Sequence, residues 1–166
     1  MRKFLFFLMC LSLSVTASAQ LQKVAFKSAT ATSYQSGEDA SKAIDDNYGT
    51  IWHSSYSSTS FPVTITLTLN EKTHVDIIRY VPRQSGTNGN WNEVDVEYSE
   101  STILNKWTSL GTYFLNGSSS SYDFNMPEGD LSIARVRFKI KSGSGNFVSA
   151  AEIEAYTIDN TKQEAF

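Results

Sequence analysis

Val63-Thr64-Ile65-Thr66-Leu67-Thr68-Leu69 alternates apolar and polar residues without a break. In an extended chain successive side chains point to opposite faces, so this run has one apolar face and one hydroxyl-bearing face. Wound as a helix, the same residues would scatter their apolar groups around the axis. The run is therefore read as a half-buried strand, and its β-branched residues suit a pleated surface. Glu93-Val94-Asp95-Val96-Glu97-Tyr98 repeats the pattern with acids outward. Ala134-Arg135-Val136-Arg137-Phe138-Lys139-Ile140-Lys141 repeats it with bases outward. Val75 to Tyr80 and Ala151 to Tyr156 are shorter examples. Downstream of the first residues no stretch sustains an apolar period of 3.6, and only Glu38 to Ile44 suits a helical turn.

Turn chemistry separates these runs. Asp45-Asp46-Asn47-Tyr48-Gly49, Ser85 to Asn90, Asn116 to Ser119 and Ser142 to Asn146 are rich in Gly, Asn, Asp and Ser. Such residues form turns through positive φ or through side-chain bonds to their own backbone. Several short strands at this spacing, each with one apolar face, predict an all-β sandwich.

The chain opens with Met1-Arg2-Lys3, an apolar run of about a dozen residues from Phe4 to Val15, and small residues ending in Ala17-Ser18-Ala19. This is the pattern of a cleaved secretory signal, with the cut expected before Gln20. The run is shorter than the roughly 20 residues of a spanning helix. Met9 before Cys10 is not the small residue a lipidated cysteine wants, so secretion is the expectation. Cleavage removes Arg2 and Lys3 and so moves the net charge from −3 to −5. It also removes Cys10, the single cysteine. Residues 20–156 are read as one domain, 1–19 as the leader and 157–166 as a polar tail. A secreted domain without disulfides needs a sufficient core, a metal, or both. An acidic chain without a basic block offers no footprint for nucleic acid and little for anionic lipid.

Two clusters carry possible chemistry. Lys42-Ala43-Ile44-Asp45-Asp46-Asn47-Tyr48-Gly49-Thr50-Ile51-Trp52-His53 packs carboxylate, amide and hydroxyl oxygens into one tight loop. Asp45, Asn47 and Thr50 suit a hard cation, which takes about 6–8 oxygen ligands. They equally suit a capped turn, and a metal needs a further acid from elsewhere in the chain. Val81-Pro82-Arg83-Gln84-Ser85-Gly86-Thr87-Asn88-Gly89-Asn90-Trp91 places an arginine, several amides and an indole on one connection. A rigid guanidinium fork and an amide suit neighbouring hydroxyls, whereas the bland alternative is a surface arginine paired with an acid. His53 is either a structural hydrogen-bonder or a functional one. Phe147, in Ser144-Gly145-Asn146-Phe147-Val148, is either a contact or a plug on the core. Trp52 and Trp107 are assigned to the core. No Gly-x-Ser-x-Gly, His-Glu-x-x-His, phosphate-cradling Gly-rich loop or cysteine nucleophile is present, and no pair of carboxylates stands out for hydrolysis.

The run from Lys42 to Tyr56, through Asp45, Asn47, Thr50, Trp52 and His53, resembles the opening motif of the coagulation factor 5/8 type C, or discoidin, domains. Tyr80-Val81-Pro82-Arg83-Gln84, the Asn88-Gly89 turn and Ala150-Ala151-Glu152-Ile153 match the same family in order. The likeness extends from about Ala29 to Tyr156 and is nearest to the family 32 carbohydrate-binding modules. It implies a jelly-roll β-sandwich of the galactose-binding-domain type. It implies a structural Ca²⁺ held by Lys42 and Ala151 carbonyls, Asp45, Asn47, Thr50 and Glu152, the last being the distant acid. Asp46 stands where the family commonly has Gly, so a small backbone adjustment is expected. It further implies a terminal galactose-type ligand, galactose or GalNAc, on His53, Arg83, Asn88 and Phe147, with Trp91 or Tyr56 extending the platform. The function expected is glycan recognition without catalysis, in a monomer without a membrane span that could serve a partner glycoside hydrolase. An adhesion or protein-interaction domain on the same fold is the alternative, because fold does not fix function.

Overall fold

The computed structural model describes residues 20–159; the expected leader, residues 1–19, and residues 160–166 of the expected tail lie outside the described residues. Among the described residues eleven strands run in chain order: β1 (Gln20–Val24), β2 (Phe26–Ala31), β3 (Trp52–His53), β4 (Val63–His74), β5 (Ile77–Val81), β6 (Trp91–Ser99), β7 (Thr108–Phe114), β8 (Tyr122–Asn125), β9 (Ser132–Gly143), β10 (Ser149–Ala150) and β11 (Glu152–Asp159). The expected helical turn is a single 3₁₀ turn over Ala40–Ala43, opened by the Asp39 carboxylate accepting from Ser41 N–H.

The strands form a five-stranded sheet in the order β2-β4-β9-β6-β7 and a four-stranded sheet in the order β1-β11-β5-β8. Every pairing is antiparallel. The alternation read from the sequence sets which face is inside. Val63, Ile65, Leu67 and Leu69 of β4 are buried, and so are Ile133, Val136, Phe138 and Ile140 of β9. The other sheet adds Ile78, Tyr80, Phe124, Ile153 and Ala155 to the shared core. A one-residue slip would turn each of these sets outward, so burial fixes the register.

Trp91 is fully buried, stacked on Tyr80 with centroids 4.0 Å apart and tilted against Phe138 at 5.2 Å. It therefore cannot extend a surface platform. As the first residue of β6 it takes the same inward face as Val94 and Val96, after a shift in register. Trp107 departs from its expected place in the opposite sense. It lies half-buried outside the core, beneath Arg137 at 4.1 Å and Arg135 at 4.6 Å. The outward bases of β9 cap this indole and pair with the outward acids of β6, as in Lys139 to Glu97 at 3.0 Å and Lys141 to Asp95 at 2.8 Å. Residues 157–159, expected in the polar tail, continue β11. Gln20, Leu21 and Gln22 lie opposite Asp159, Ile158 and Thr157 and give them a partner strand.

The shortest pairing positions the site. β3 and β10 form a two-residue ladder, with His53 opposite Ser149 and Trp52 opposite Ala150. It joins the loop that ends at His53 to the segment from Phe147 to Glu152. Segments far apart in the chain thus share one end of the sandwich.

Candidate functional site

Three segments converge at that end. β3 supplies His53, the connection after β5 supplies Arg83 and Asn88, and the 3₁₀ turn over Ser144–Asn146 leads into Phe147. His53 is buried, with Nδ1 2.7 Å from Ser54 O. A carbonyl only accepts, so Nδ1 carries a proton. In the neutral ring Nε2 is then the acceptor, and Asn88 Nδ2 lies 3.3 Å from it. Arg83 Nε donates to Ser85 O at 2.7 Å and Nη1 donates to Asn88 O at 3.2 Å. Those bonds occupy two of the five guanidinium N–H groups and fold the connection around the arginine. Among the described residues Arg83 forms no ion pair with a carboxylate, so it is not the acid-paired surface arginine its sequence equally allowed.

Phe147 is half-buried and packs on His53 with centroids 5.3 Å apart. Tyr56, which is exposed, meets the His53 edge at 4.8 Å and Phe147 at 6.4 Å. Two glycines allow this convergence. A side chain at Gly145, whose φ is 67°, would sit 2.2 Å from Asn88 Oδ1. One at Gly89, whose φ is 86°, would meet the Ser149 backbone at 2.8 Å. Tyr56, Asn88 and Phe147 therefore gather around the buried His53, with Arg83 bonded to Asn88, whereas Trp91 lies in the core. Glu38 joins them without having been singled out in the sequence. Its carboxylate accepts from Tyr56 Oη at 2.6 Å, and its carbonyl accepts from His53 N–H at 3.1 Å. It stands at the start of a helical turn, where an acid is unremarkable. Only the fold shows what it faces.

The second constellation lies in the loop before β3. Thr50 Oγ1 is 2.9 Å from both Asp45 carboxylate oxygens and from Asn47 O. A hydroxyl has one hydrogen and can donate to only one of them at a time. Asn47 N–H lies 3.1 Å from Asp45 Oδ1 and 3.1 Å from Glu152 Oε1. Asp45, Asn47, Thr50 and Glu152 thus gather although Glu152 is far along the chain. Lys42 reaches the group through its ammonium, 3.5 Å from Asp45 Oδ2. Ala151 precedes Glu152 and its N–H donates to Val81 O at 2.9 Å.

Glu152 is almost wholly buried, and its Oε2 has no hydrogen-bond partner. Burial, reinforced by the Asp45 carboxylate beside it, pushes the Glu152 pKa up to about 7. An orphaned buried oxygen beside a second carboxylate is costly unless a positive group joins them. Among the described residues no three His, Cys, Asp or Glu side chains gather here, so a cation would draw its other ligands from amide, hydroxyl and carbonyl oxygens. That is the donor set a hard cation prefers. Asp46 adopts the left-handed conformation, φ 60°, and its carboxylate is engaged by Lys23. It meets the backbone demand expected at a position where Gly is common.

An antiparallel two-sheet sandwich, with polar and aromatic loops gathered at one end above an oxygen-rich loop, defines the class of this domain. The chain belongs to the F5/8 type C domain family, whose model matches residues 28–153. It is 33% identical over 137 residues to the A type blood N-acetyl-alpha-D-galactosamine deacetylase of Flavonifractor plautii. That match covers 77% of this chain but spans only 17% of the deacetylase's length. Among solved structures it resembles the family 32 module of Clostridium perfringens NanJ in complex with galactose, with a TM-score of 0.75 and 23% identity. The likeness covers 83% of this chain and 100% of that one. A second Clostridium perfringens module of family 32, in complex with GalNAc-beta-1,3-galactose, superposes with a TM-score of 0.71 at 28% identity. It covers 78% of this chain and 94% of its own. Among the described residues no helix is long and apolar enough to cross a membrane.

Proposed function

We propose that this is an exported, non-catalytic carbohydrate-binding domain that recognises terminal galactose-type sugars and carries a structural calcium ion. The observation that supports it best is the convergence of Arg83, Asn88 and Phe147 around the buried His53. The unused Arg83 donors bind an axial hydroxyl and its neighbour, while the buried His53 holds the Asn88 amide from below. Asn88 takes the adjacent hydroxyl, and Phe147 with Tyr56 packs on the apolar sugar face. Two relatives of the same fold were solved with galactose and with GalNAc-beta-1,3-galactose, which favours this ligand class. Few direct contacts are available, so the expected Kd is on the order of 0.1–1 mM.

Asp45, Asn47, Thr50 and Glu152, with the Lys42 and Ala151 carbonyls, would hold the calcium. The ion supplies positive charge to the two carboxylates and fixes the loop that leads to His53. No part of sugar recognition passes through it. The domain acts alone or brings a partner glycoside hydrolase to its glycan.

Arg83→Ala tests the reading. Retention on a galactose or GalNAc matrix is expected to fall by more than about tenfold while the melting temperature stays within about 2 °C. Unchanged retention removes the proposed site. Capture of a protein with no response on a glycan array would indicate the adhesion function instead.

A further inference from the structure

We propose that the cleft on the far side of Arg83 is a second sugar subsite, which takes the neutral hexose linked to the terminal residue. The inference rests on the sugar-binding reading and extends it from a monosaccharide to a disaccharide. The cleft measures about 520 Å³. That lies within the roughly 300–1,000 Å³ usual for ligand sites. Its walls come from the turn carrying Glu38, from Tyr48 and Thr50 of the oxygen-rich loop, and from Arg83, Gln84 and Ser85.

Two residues belong to both places. Arg83 lines the cleft and also bonds Asn88 O in the first site. Glu38 lines the cleft and also holds Tyr56 Oη. The cleft therefore adjoins the first site through these two side chains.

The lining suits a neutral polyol. Arg83 donates and Glu38 accepts, and the two charges balance. An anionic sugar would meet the Glu38 carboxylate. Gln84 uses one amide N–H on Pro82 O at 2.9 Å, which leaves its amide oxygen and second N–H for hydroxyls. Tyr48 is 46% exposed, and its hydroxyl is tied to Glu154 Oε1 at 2.7 Å. The ring is thus held at its far end while it lines the cleft. A fixed aromatic ring among hydrogen-bonding groups matches a pyranose, which offers C–H and O–H surfaces together.

The test is isothermal titration of the purified full chain with methyl β-galactoside, lactose, melibiose and GalNAc-β-1,3-galactose. At least one disaccharide is expected to bind about two- to tenfold more tightly than methyl β-galactoside. Tyr48→Ala and Gln84→Ala should each cut that preference by about half or more, with methyl β-galactoside affinity kept within about twofold. Tyr48→Phe, which keeps the ring, should retain the preference. Gln84 is exposed, so its variant tests the cleft without burdening the fold. The second subsite is overturned if no disaccharide exceeds methyl β-galactoside, or if the preference survives both alanine variants. Failure of every probe, methyl β-galactoside included, would sink the sugar-binding reading itself.

Discussion

The oxygen-rich loop and the aromatic surface lie at the same end of the sandwich, yet they satisfy their polar groups in opposite ways. On the aromatic surface the groups answer one another. Arg83 donates to Ser85 O and Asn88 O, and His53 is held between Ser54 O and Asn88. In the loop, Glu152 keeps an oxygen without a partner and stands beside Asp45. The surface is preorganised and can meet a ligand with donors already in place, which spares ordering entropy on binding. The loop is electrostatically incomplete, and added positive charge would complete it. Binding and stability are therefore expected to separate between the two.

Calcium removal gives the largest effect and tests the loop. Chelation is expected to lower the melting temperature by about 5–10 °C, because an ion bound only to the folded state stabilises it by mass action. Calorimetry with and without calcium checks it, and no shift would mean the loop is complete as it stands. Glu152→Gln sharpens the point. It should abolish the calcium response yet leave the metal-free protein at least as stable as the native metal-free one, because a neutral amide ends the conflict with Asp45. A variant much less stable than the native metal-free protein would show that the carboxylate serves the fold by itself.

A smaller effect is expected on the surface. Tyr56→Phe keeps the ring beside His53 and removes only the bond to Glu38. Sugar affinity should fall about two- to fivefold, measured by titration, with no change in melting temperature. Unaltered affinity would reduce Glu38 to a bystander.

The smallest effect lies away from both. His74 Nδ1 is 3.0 Å from Leu131 O and Nε2 is 2.9 Å from Asp76 Oδ1. Both partners accept, so the ring satisfies both only when doubly protonated. The Leu131 bond first, and Asp76 second, raise its pKa above the ordinary 6.5. A raised folded-state value means this stabilisation is complete below about pH 6.5 and is lost as pH rises through the folded-state pKa. The side chain is 41% exposed, so solvent weakens the effect. From about pH 6 to pH 8 the native protein should lose about 1–2 °C relative to His74→Gln, with sugar retention unchanged. Parallel pH profiles for the two proteins would remove the assignment.

The sandwich was legible because alternation is a local property. β4 carries its buried set at every second residue from Val63 to Leu69 and β9 from Ala134 to Ile140, whereas β6, whose register shifts just before Val94, does so only at Val94 and Val96. Asp45, Asn47 and Thr50 stood out because oxygen-bearing residues crowd a short loop. The places of Trp91 and Trp107 were not set by their neighbours in the chain. Which of two large indoles enters the core depends on the strand register and on what covers the alternative face. Trp91 finds Tyr80 and Phe138, whereas Trp107 finds the Arg135 and Arg137 side chains. Residues 157–159 were misplaced for a related reason: a polar strand at a sheet margin shows no alternation and exists because Gln20–Val24 pairs with it.

The amino-acid order by itself marked β4, β5, β6, β9 and most of β11, and the turn-rich loops, since each depends on residues a few positions apart. Tertiary structure alone decided that Glu152 reaches Asp45, that Glu38 holds Tyr56, and that Arg83 stands between a surface and a cleft. Those contacts join segments separated by many residues. Their distances are set by how two sheets pack and by a two-residue ladder between β3 and β10, neither of which leaves a periodic mark in the chain.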